Sequence, residues 1–148
     1  MGGSDAGPDV VAVAETLGRE LARRGAVVVC GGLGGVMEAV CRGARAGGGR
    51  TIGILPGDDR SEANAYVDVA VATGMGEGRN LLVVRTADAV IAVDGEFGTL
   101  SEIALALRLG KPVVGIDTWE LRREGLLDDP IVRVSTPAEA VEAALLRA

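Results

Sequence analysis

Residues 88–93, DAVIAV, are apolar almost without interruption, and the run stops at Asp94, Gly95, Glu96, Phe97 and Gly98. A strand that is apolar on both faces belongs in a parallel sheet covered by helices on each side. Beyond the turn, Leu100, Ile103, Ala104, Ala106, Leu107 and Leu109 recur at helical spacing. The unit is therefore a buried strand, a tight turn and a helix. Gly95 and Gly98 let the backbone bend and approach a ligand with no Cβ in the way. Free N–H groups at the helix start, with Thr99 Oγ beside them, make an anion site. Glu102 stands about one turn in, where its carboxylate reaches the rim of that site.

The same grammar runs along the rest of the chain. Residues 10–24 read as an amphipathic helix, with Val10, Val13, Ala14, Leu17 and Leu21 on one face and Gly25 at its stop. Residues 26–30 read as a buried strand, 36–46 as a helix, 51–55 as a strand, 58–65 as a loop or short helix, 66–71 as a short alternating strand and 78–86 as a helix. After the central unit the pattern predicts a strand over 112–116, a short helix over 118–123, a turn at 128–130 and an edge strand over 131–134. The last helix opens with Thr136 as N-cap, Pro137 at the first position and Glu139 at the third. Alternating strands and helices predict an α/β fold in one domain over residues 1–148: a three-layer, Rossmann-like parallel sheet with helices on both faces.

One feature of this pattern is irregular. Residues 1–4 read as the Gly-Ser loop that follows a first strand, yet no strand precedes them. Of two readings, a start downstream of the true one or a sheet lacking a strand, the first is favoured. Either way, strain or an altered sheet is expected around residues 26–30 and 88–93.

Composition narrows the function. Apolar residues make up 48% of the 148 residues but aromatics only 2%, so the core is built from Val, Ala, Leu and Ile. A net charge of −6, with no basic run and no aromatic platform, argues against nucleic-acid binding. The absence of histidine excludes His-ligated zinc and a His-based triad, and no metal site is expected. Cys30 and Cys41 read as small buried hydrophobes in a reducing cytosol. No membrane span or signal sequence is read, so the expected location is cytoplasmic. The only lysine, Lys111, lies in an ordinary Gly-Lys-Pro turn, which argues against Schiff-base chemistry.

Three Gly-rich strand ends, at residues 31–35, 73–78 and 95–98, are expected to converge, because ligands of open α/β sheets bind beyond the carboxyl ends of strands. Arg79 and Glu102 each sit just inside a following helix. Neither G-x-G-x-x-G nor G-x-x-x-x-G-K-[ST] fits. The residues alone leave two readings of Arg79 and Glu102: ligand chemistry, or a structural ion pair across two helix starts. Glu38 reads as a solvated helix residue, Asp94 as a loop-capping Asx residue, and Phe97 as packing either on a base or on protein. Trp119 reads as core or as an oligomer contact.

The stretch VDGEFGTLSE resembles the P-G-G-x-G-T-x-x-E motif of the LOG family, the cytokinin-activating nucleoside 5′-monophosphate phosphoribohydrolases often mislabelled lysine decarboxylases. GGLGGVMEA resembles that family's first Gly-rich loop, and GMGEGRN the segment carrying its arginine. From Gly2 to about Ile116 the chain is more closely similar to a bacterial and archaeal branch of the same superfamily, which includes proteins compared with molybdenum-cofactor carriers.

The resemblance implies a phosphate cradle at Gly95, Gly98 and Thr99, an acidic catalytic residue at Glu102 and its basic partner at Arg79. It implies a ribose–phosphate pocket framed by Gly31, Gly32, Gly35 and Met37 with Ser4 beneath, and Asn80 and Phe97 join the candidate ligand contacts. Asp94 and Glu96 stand where the LOG motif has Pro and Gly, and Asn80 stands where it has lysine. Two functions follow as expectations. One is binding of a nucleoside 5′-monophosphate with hydrolysis to base and ribose 5-phosphate. The other is a non-catalytic binder or carrier of a nucleotide-like or molybdopterin-type cofactor. No resident cofactor is expected. The expected partners are a small nucleotide or phosphate ligand and further copies of the chain, as a dimer or tetramer, with no nucleic acid and no membrane.

Overall fold

The computed structural model describes residues 1–122, 124–125 and 128–148. In chain order the elements are α1 (Pro8–Arg23), β1 (Val27–Cys30), α2 (Val36–Ala46), β2 (Arg50–Leu55), β3 (Val69–Ala72), α3 (Asn80–Thr86), β4 (Val90–Val93), α4 (Phe97–Arg108), β5 (Val113–Ile116), β6 (Val132–Arg133) and α5 (Pro137–Leu145). Short 3₁₀ turns occupy Arg60–Glu62 and Gly76–Arg79.

The strands pair in parallel as two groups of three, β1–β2–β3 and β4–β5–β6. Cys30 lies beside Gly53, and Val93 beside Ile116, so the carboxyl ends of neighbouring strands are level. Among the described residues no ladder joins β1 to β4, and this is where the expected disturbance of the sheet lies. Met1 pairs with β4 instead. Its nitrogen donates to the Ile91 carbonyl at 2.5 Å, and its carbonyl accepts from the Val93 N–H at 2.9 Å.

Helices cover both faces. On one side α1, α2 and α5 bury Ala14, Leu17, Ala39, Ala140 and Val141 against Val93, Val114 and Ile116. On the other, Val84 of α3 and Ile103 and Ala106 of α4 meet Val90, Ala92 and Val113. On β1, Val28 and Cys30 pack against Val40, Cys41 and Ala44 of α2. Small side chains let these layers approach closely. A Cβ at Gly43 would overlap the Glu15 carbonyl oxygen, and one at Gly18 would overlap the Val40 carbonyl oxygen. The backbones of α1 and α2 are thus in direct contact, clamped by Arg42 Nε on Glu15 Oε2 at 2.9 Å.

Several expected boundaries shift for identifiable reasons. The first helix starts at Pro8, which suits a first-turn position that needs no N–H. The strand expected over 66–71 is confined to Val69–Ala72. Upstream of it, the Thr51 hydroxyl donates to the Tyr66 carbonyl at 2.7 Å and the Asp68 carboxylate takes the Thr51 N–H at 2.8 Å, so side chains satisfy the main chain there. Residues 76–79 form a 3₁₀ turn before α3 instead of its first turn. The short helix expected over 118–123 is not formed by residues 118–122, and Arg123 lies outside the described residues. The Arg133 guanidinium takes the Thr118 and Trp119 carbonyls, which a helix would have used. The edge strand expected over 131–134 shortens to Val132–Arg133.

The capping box at Thr136 is formed, with Glu139 N–H on Thr136 Oγ1 at 3.3 Å and the Glu139 carboxylate on the Thr136 N–H at 3.1 Å. Thr136→Ala is expected to destabilise the protein by about 1 kcal/mol. Gly43→Ala, which forces apart two helix backbones, is expected to cost about 3 kcal/mol. Urea denaturation of the two variants, read by circular dichroism, checks both the sizes and their order.

Candidate functional site

A pocket of about 570 Å³ opens at the carboxyl edge of the strands. Its lining comes from the ends of β1 and β2, the 3₁₀ turn before α3, and the first turns of α2 and α4. The three Gly-rich segments meet here, contributing Gly31 and Leu33, Gly76 and Glu77, and Glu96 and Gly98.

The start of α4 is an open set of donors. Its first backbone acceptor bond is Leu100 N–H to Glu96 carbonyl, and no side chain caps the helix. The N–H groups of Phe97, Gly98 and Thr99 therefore precede the helical ladder, which is the arrangement that attracts anions. Gly95 reaches φ 117°, and a Cβ there would stand 2.5 Å from the Thr99 side chain. Gly95 thus shapes the turn and does not itself line the pocket. Thr99 is buried and lines it.

Arg79 and Glu102 face the same cavity and are 8% and 9% exposed. No ion pair within 4.0 Å joins them among the described residues, so they are not the direct structural pair that was one of the sequence readings. The Arg79 guanidinium lies against the Cα of Gly31, where any side chain would collide with it. Its Nε is buried with no hydrogen-bond partner. Burial pushes the Arg79 guanidinium below its ordinary range, while the charges of Glu102 and Cys30 oppose that shift. Burial raises the Glu102 carboxyl above the usual carboxylate value, against the Met1 ammonium and Arg79.

The thiols of Cys30 and Cys41 are free, buried and 3.5 Å apart. The hydrogen bond between the Cys30 and Cys41 thiols is the main reason that Cys30 is lowered to about 7, and the Gly32 N–H at 3.3 Å supports it. The same contact and burial raise Cys41. Cys30 lines the pocket.

Of the remaining candidates, Ser4, Met37, Asn80 and Phe97 line the pocket. Gly32 and Gly35 stand behind it. The Gly32 carbonyl receives the Asn64 N–H at 2.8 Å, which pins the loop from outside. Gly35, at φ 61°, leaves room for the carbonyls of Gly3 and Ser4, so the N-terminal loop crosses directly over the start of α2. Phe97 is 78% exposed, with its ring centroid 5.5 Å from that of Trp119. The indole N–H of Trp119 donates to the Glu96 carbonyl at 3.2 Å. Asp94 adopts φ 50° and Asp117 φ 45°, both left-handed. Among the described hydrogen bonds the Asp94 carboxylate caps nothing, and its carbonyl receives the Thr118 hydroxyl at 2.5 Å. Glu38 approaches Arg42 at 4.0 Å, outside the pocket lining.

Sequence reasoning passed over Cys30, Pro56 and Ser101 as lining residues. Cys30 and Pro56 end or follow strands, so the strand-end rule itself could have found them. Among the described residues no group of three or more His, Cys, Asp or Glu could hold a metal ion, and no helix is long and apolar enough to cross a membrane.

Parallel strands covered by helices on both faces, with a pocket at their carboxyl edge, define a Rossmann-like fold. The chain belongs to the SLOG cluster4 family, whose sequence model matches residues 1–141. An uncharacterised protein of Archaeoglobus fulgidus is 40% identical over 116 residues, covering 78% of this chain and 76% of that one. A cytokinin riboside 5′-monophosphate phosphoribohydrolase of Mycobacterium tuberculosis is 34% identical over 121 residues, covering 75% of this chain and 64% of that protein's length. A solved structure of the molybdenum cofactor binding protein from the phototrophic bacterium Rippkaea orientalis is 37% identical with a TM-score of 0.86, covering 95% of this chain and 88% of that one.

Because burial raises Glu102, the native state keeps its proton at pH values where the unfolded chain, with an ordinary value of 4.5, has lost it. The associated stability is complete below that value and falls as pH rises through the folded-state value. Glu102→Gln is therefore expected to melt higher relative to the parent at pH 8 than at pH 4, which calorimetry across that range checks.

Proposed function

We propose that the pocket binds a phosphate-bearing, nucleotide-like ligand and that its chemistry is hydrolysis of the N-glycosidic bond of a nucleoside 5′-monophosphate. The observation that carries this reading is Arg79, a buried guanidinium with an unpartnered Nε, lining the same cavity as the uncapped start of α4. A buried charge without a direct partner is costly, and an anionic ligand offsets that cost. In this reading the 5′-phosphate lies on the N–H groups of Phe97, Gly98 and Thr99, with Arg79 supplying positive charge. The exposed ring of Phe97, leaning on Trp119, offers one face to the base.

Cleavage of the C1′–N bond passes through a ribosyl cation, which a nearby carboxylate stabilises. Glu102 fills that role. Water adds to C1′, and its proton passes through Glu102 to the departing base, leaving ribose 5-phosphate. A carboxyl raised by burial is suited to carrying a proton in this way. The similarity to a phosphoribohydrolase supports this chemistry.

A second reading is favoured by the residues around the cradle. Asp94 and Glu96 are exposed acidic residues beside it, and Asn80 supplies no positive charge. These features oppose a small phosphate dianion more than a larger ligand whose phosphate is only one part. The similarity to a molybdenum cofactor binding protein supports a carrier of a molybdopterin-type cofactor.

The deciding experiment is chromatographic detection of free base from a panel of nucleoside 5′-monophosphates, with AMP first. Base release that is lost in Glu102→Gln is the expected result. No release from any nucleotide, while the same nucleotides still raise the melting temperature, would overturn the hydrolase reading and leave the carrier. In a separate test, Phe97→Ala is expected to leave the melting temperature of the free protein nearly unchanged and to weaken AMP binding about tenfold, the lower end of a base-stacking contribution. Isothermal titration of AMP into the two proteins measures that difference.

A further inference from the structure

Strand β1 and helix α2 bring the two cysteines of the chain into contact. Cys30 ends β1, the chain turns through residues 31–35, and α2 returns across the same strand with Cys41 in its second turn. Val28, Val40 and Ala44 pack around the pair. The sulfurs stand 3.5 Å apart and both are free. A disulfide holds its sulfurs about 2 Å apart, so closure takes a shift of roughly 1.5 Å, within the reach of side-chain rotation.

The two sulfurs differ in access. Cys30 lines the pocket that holds Arg79 and Glu102, whereas Cys41 is wholly buried and is not among the residues lining that pocket. They differ in ionisation in the same sense. The bond between the thiols lowers Cys30 to about 7 against the effect of burial, with the Gly32 N–H assisting, while that bond and burial keep the proton on Cys41. The charged groups facing Cys30 are Arg79 from the turn before α3 and the Met1 ammonium beside β4, which favour the thiolate, and Glu102 from α4, which shares their cavity. Asp68, ahead of β3, acts on Cys41 from the other side. A thiolate open to a cavity with a protonated thiol behind it has the form of a nucleophile and its resolving partner.

We propose that Cys30 and Cys41 form a redox-active dithiol in the wall of this pocket, which a hydroperoxide oxidises to an intrachain disulfide. The Cys30 thiolate attacks one oxygen of the peroxide. An S–O bond forms as the O–O bond breaks, Cys30 becomes the sulfenic acid, and the departing oxygen takes up a proton and leaves as alcohol or water. The Cys41 sulfur then attacks the Cys30 sulfur. The S–S bond forms, the S–O bond breaks, and hydroxide leaves with the Cys41 proton as water. The two thiols give up two electrons and the peroxide gains them. Access fixes the order of the sulfurs, because the pocket reaches Cys30 and not Cys41. The Gly32 N–H bonds to the sulfur that reacts, so the modification lies in the wall made by the first Gly-rich loop. It does not depend on which ligand the pocket takes.

The test exposes the reduced protein to stoichiometric hydrogen peroxide, alkylates the remaining thiols, and reads intact mass and non-reducing peptide maps. The expected product is an intrachain Cys30–Cys41 disulfide, with both thiols lost together and recovered by dithiothreitol. The rate of thiol loss is expected to rise about tenfold from pH 6 to pH 8, as the Cys30 thiolate forms around its value of about 7. Cys41→Ala is expected to stop at a Cys30 sulfenic acid that dimedone traps, and Cys30→Ala to leave Cys41 unreacted. No thiol loss in the time that free glutathione is consumed overturns the proposal. So does a disulfide formed only between chains, a sulfinic acid formed in place of the disulfide, or oxidation of Cys41 in Cys30→Ala at the parent's rate. The peptide map of the parent protein decides the proposal whether or not the variants fold.

Discussion

Helix α1 lies on α2 with main chain touching main chain, and the two halves of the sheet depend on that contact. β1 packs on α2, while β4 and β5 pack on α1 and α5. With no ladder between β1 and β4 among the described residues, the α1–α2 crossing carries much of the connection between the halves. Gly18 and Gly43 permit it, and Glu15 bonded to Arg42 fixes its angle. The candidate pocket is downstream of this geometry. Its β1–α2 wall and its β4–α4 wall belong to different halves, so the distance between Arg79 and the start of α4 is held by helices more than by sheet hydrogen bonds.

The electrostatics of the pocket follow from burial of charges that are not directly paired. Arg79 and Glu102 are each desolvated, and each moves the other only part of the way back. In such a place the balance of protonation is set by whatever charge enters. A phosphate group near Arg79 would stabilise the guanidinium and push Glu102 further toward its neutral form. Glu77 and Glu96 at the mouth have the opposite sign to such a ligand.

Much of this arrangement was legible in the sequence, because the signals are local. Continuous apolar runs marked β4 and β5, three-to-four spacing marked α1, and the capping box at Thr136 has all its partners within four residues. Features set by distant residues were not legible. Residues 118–122 lose their helix to Arg133, and residues 66–68 lose their strand to Thr51 and Asp68. The glycines divide in the same way. The sequence shows that Gly31, Gly32, Gly35, Gly95 and Gly98 make tight turns. Only the fold shows that Gly31 and Gly98 line the cavity, while Gly32, Gly35 and Gly95 make room for other parts of the protein.

The aspartates that end β4 and β5, Asp94 and Asp117, turn the chain through left-handed backbone that glycine would adopt without strain. Both are exposed and both sit at the carboxyl edge. Replacing them with glycine would relax two strained turns and, by the same stroke, remove two negative charges from that edge. Thermal tolerance and surface potential are therefore tied together at these positions, and an engineer who changes one changes the other.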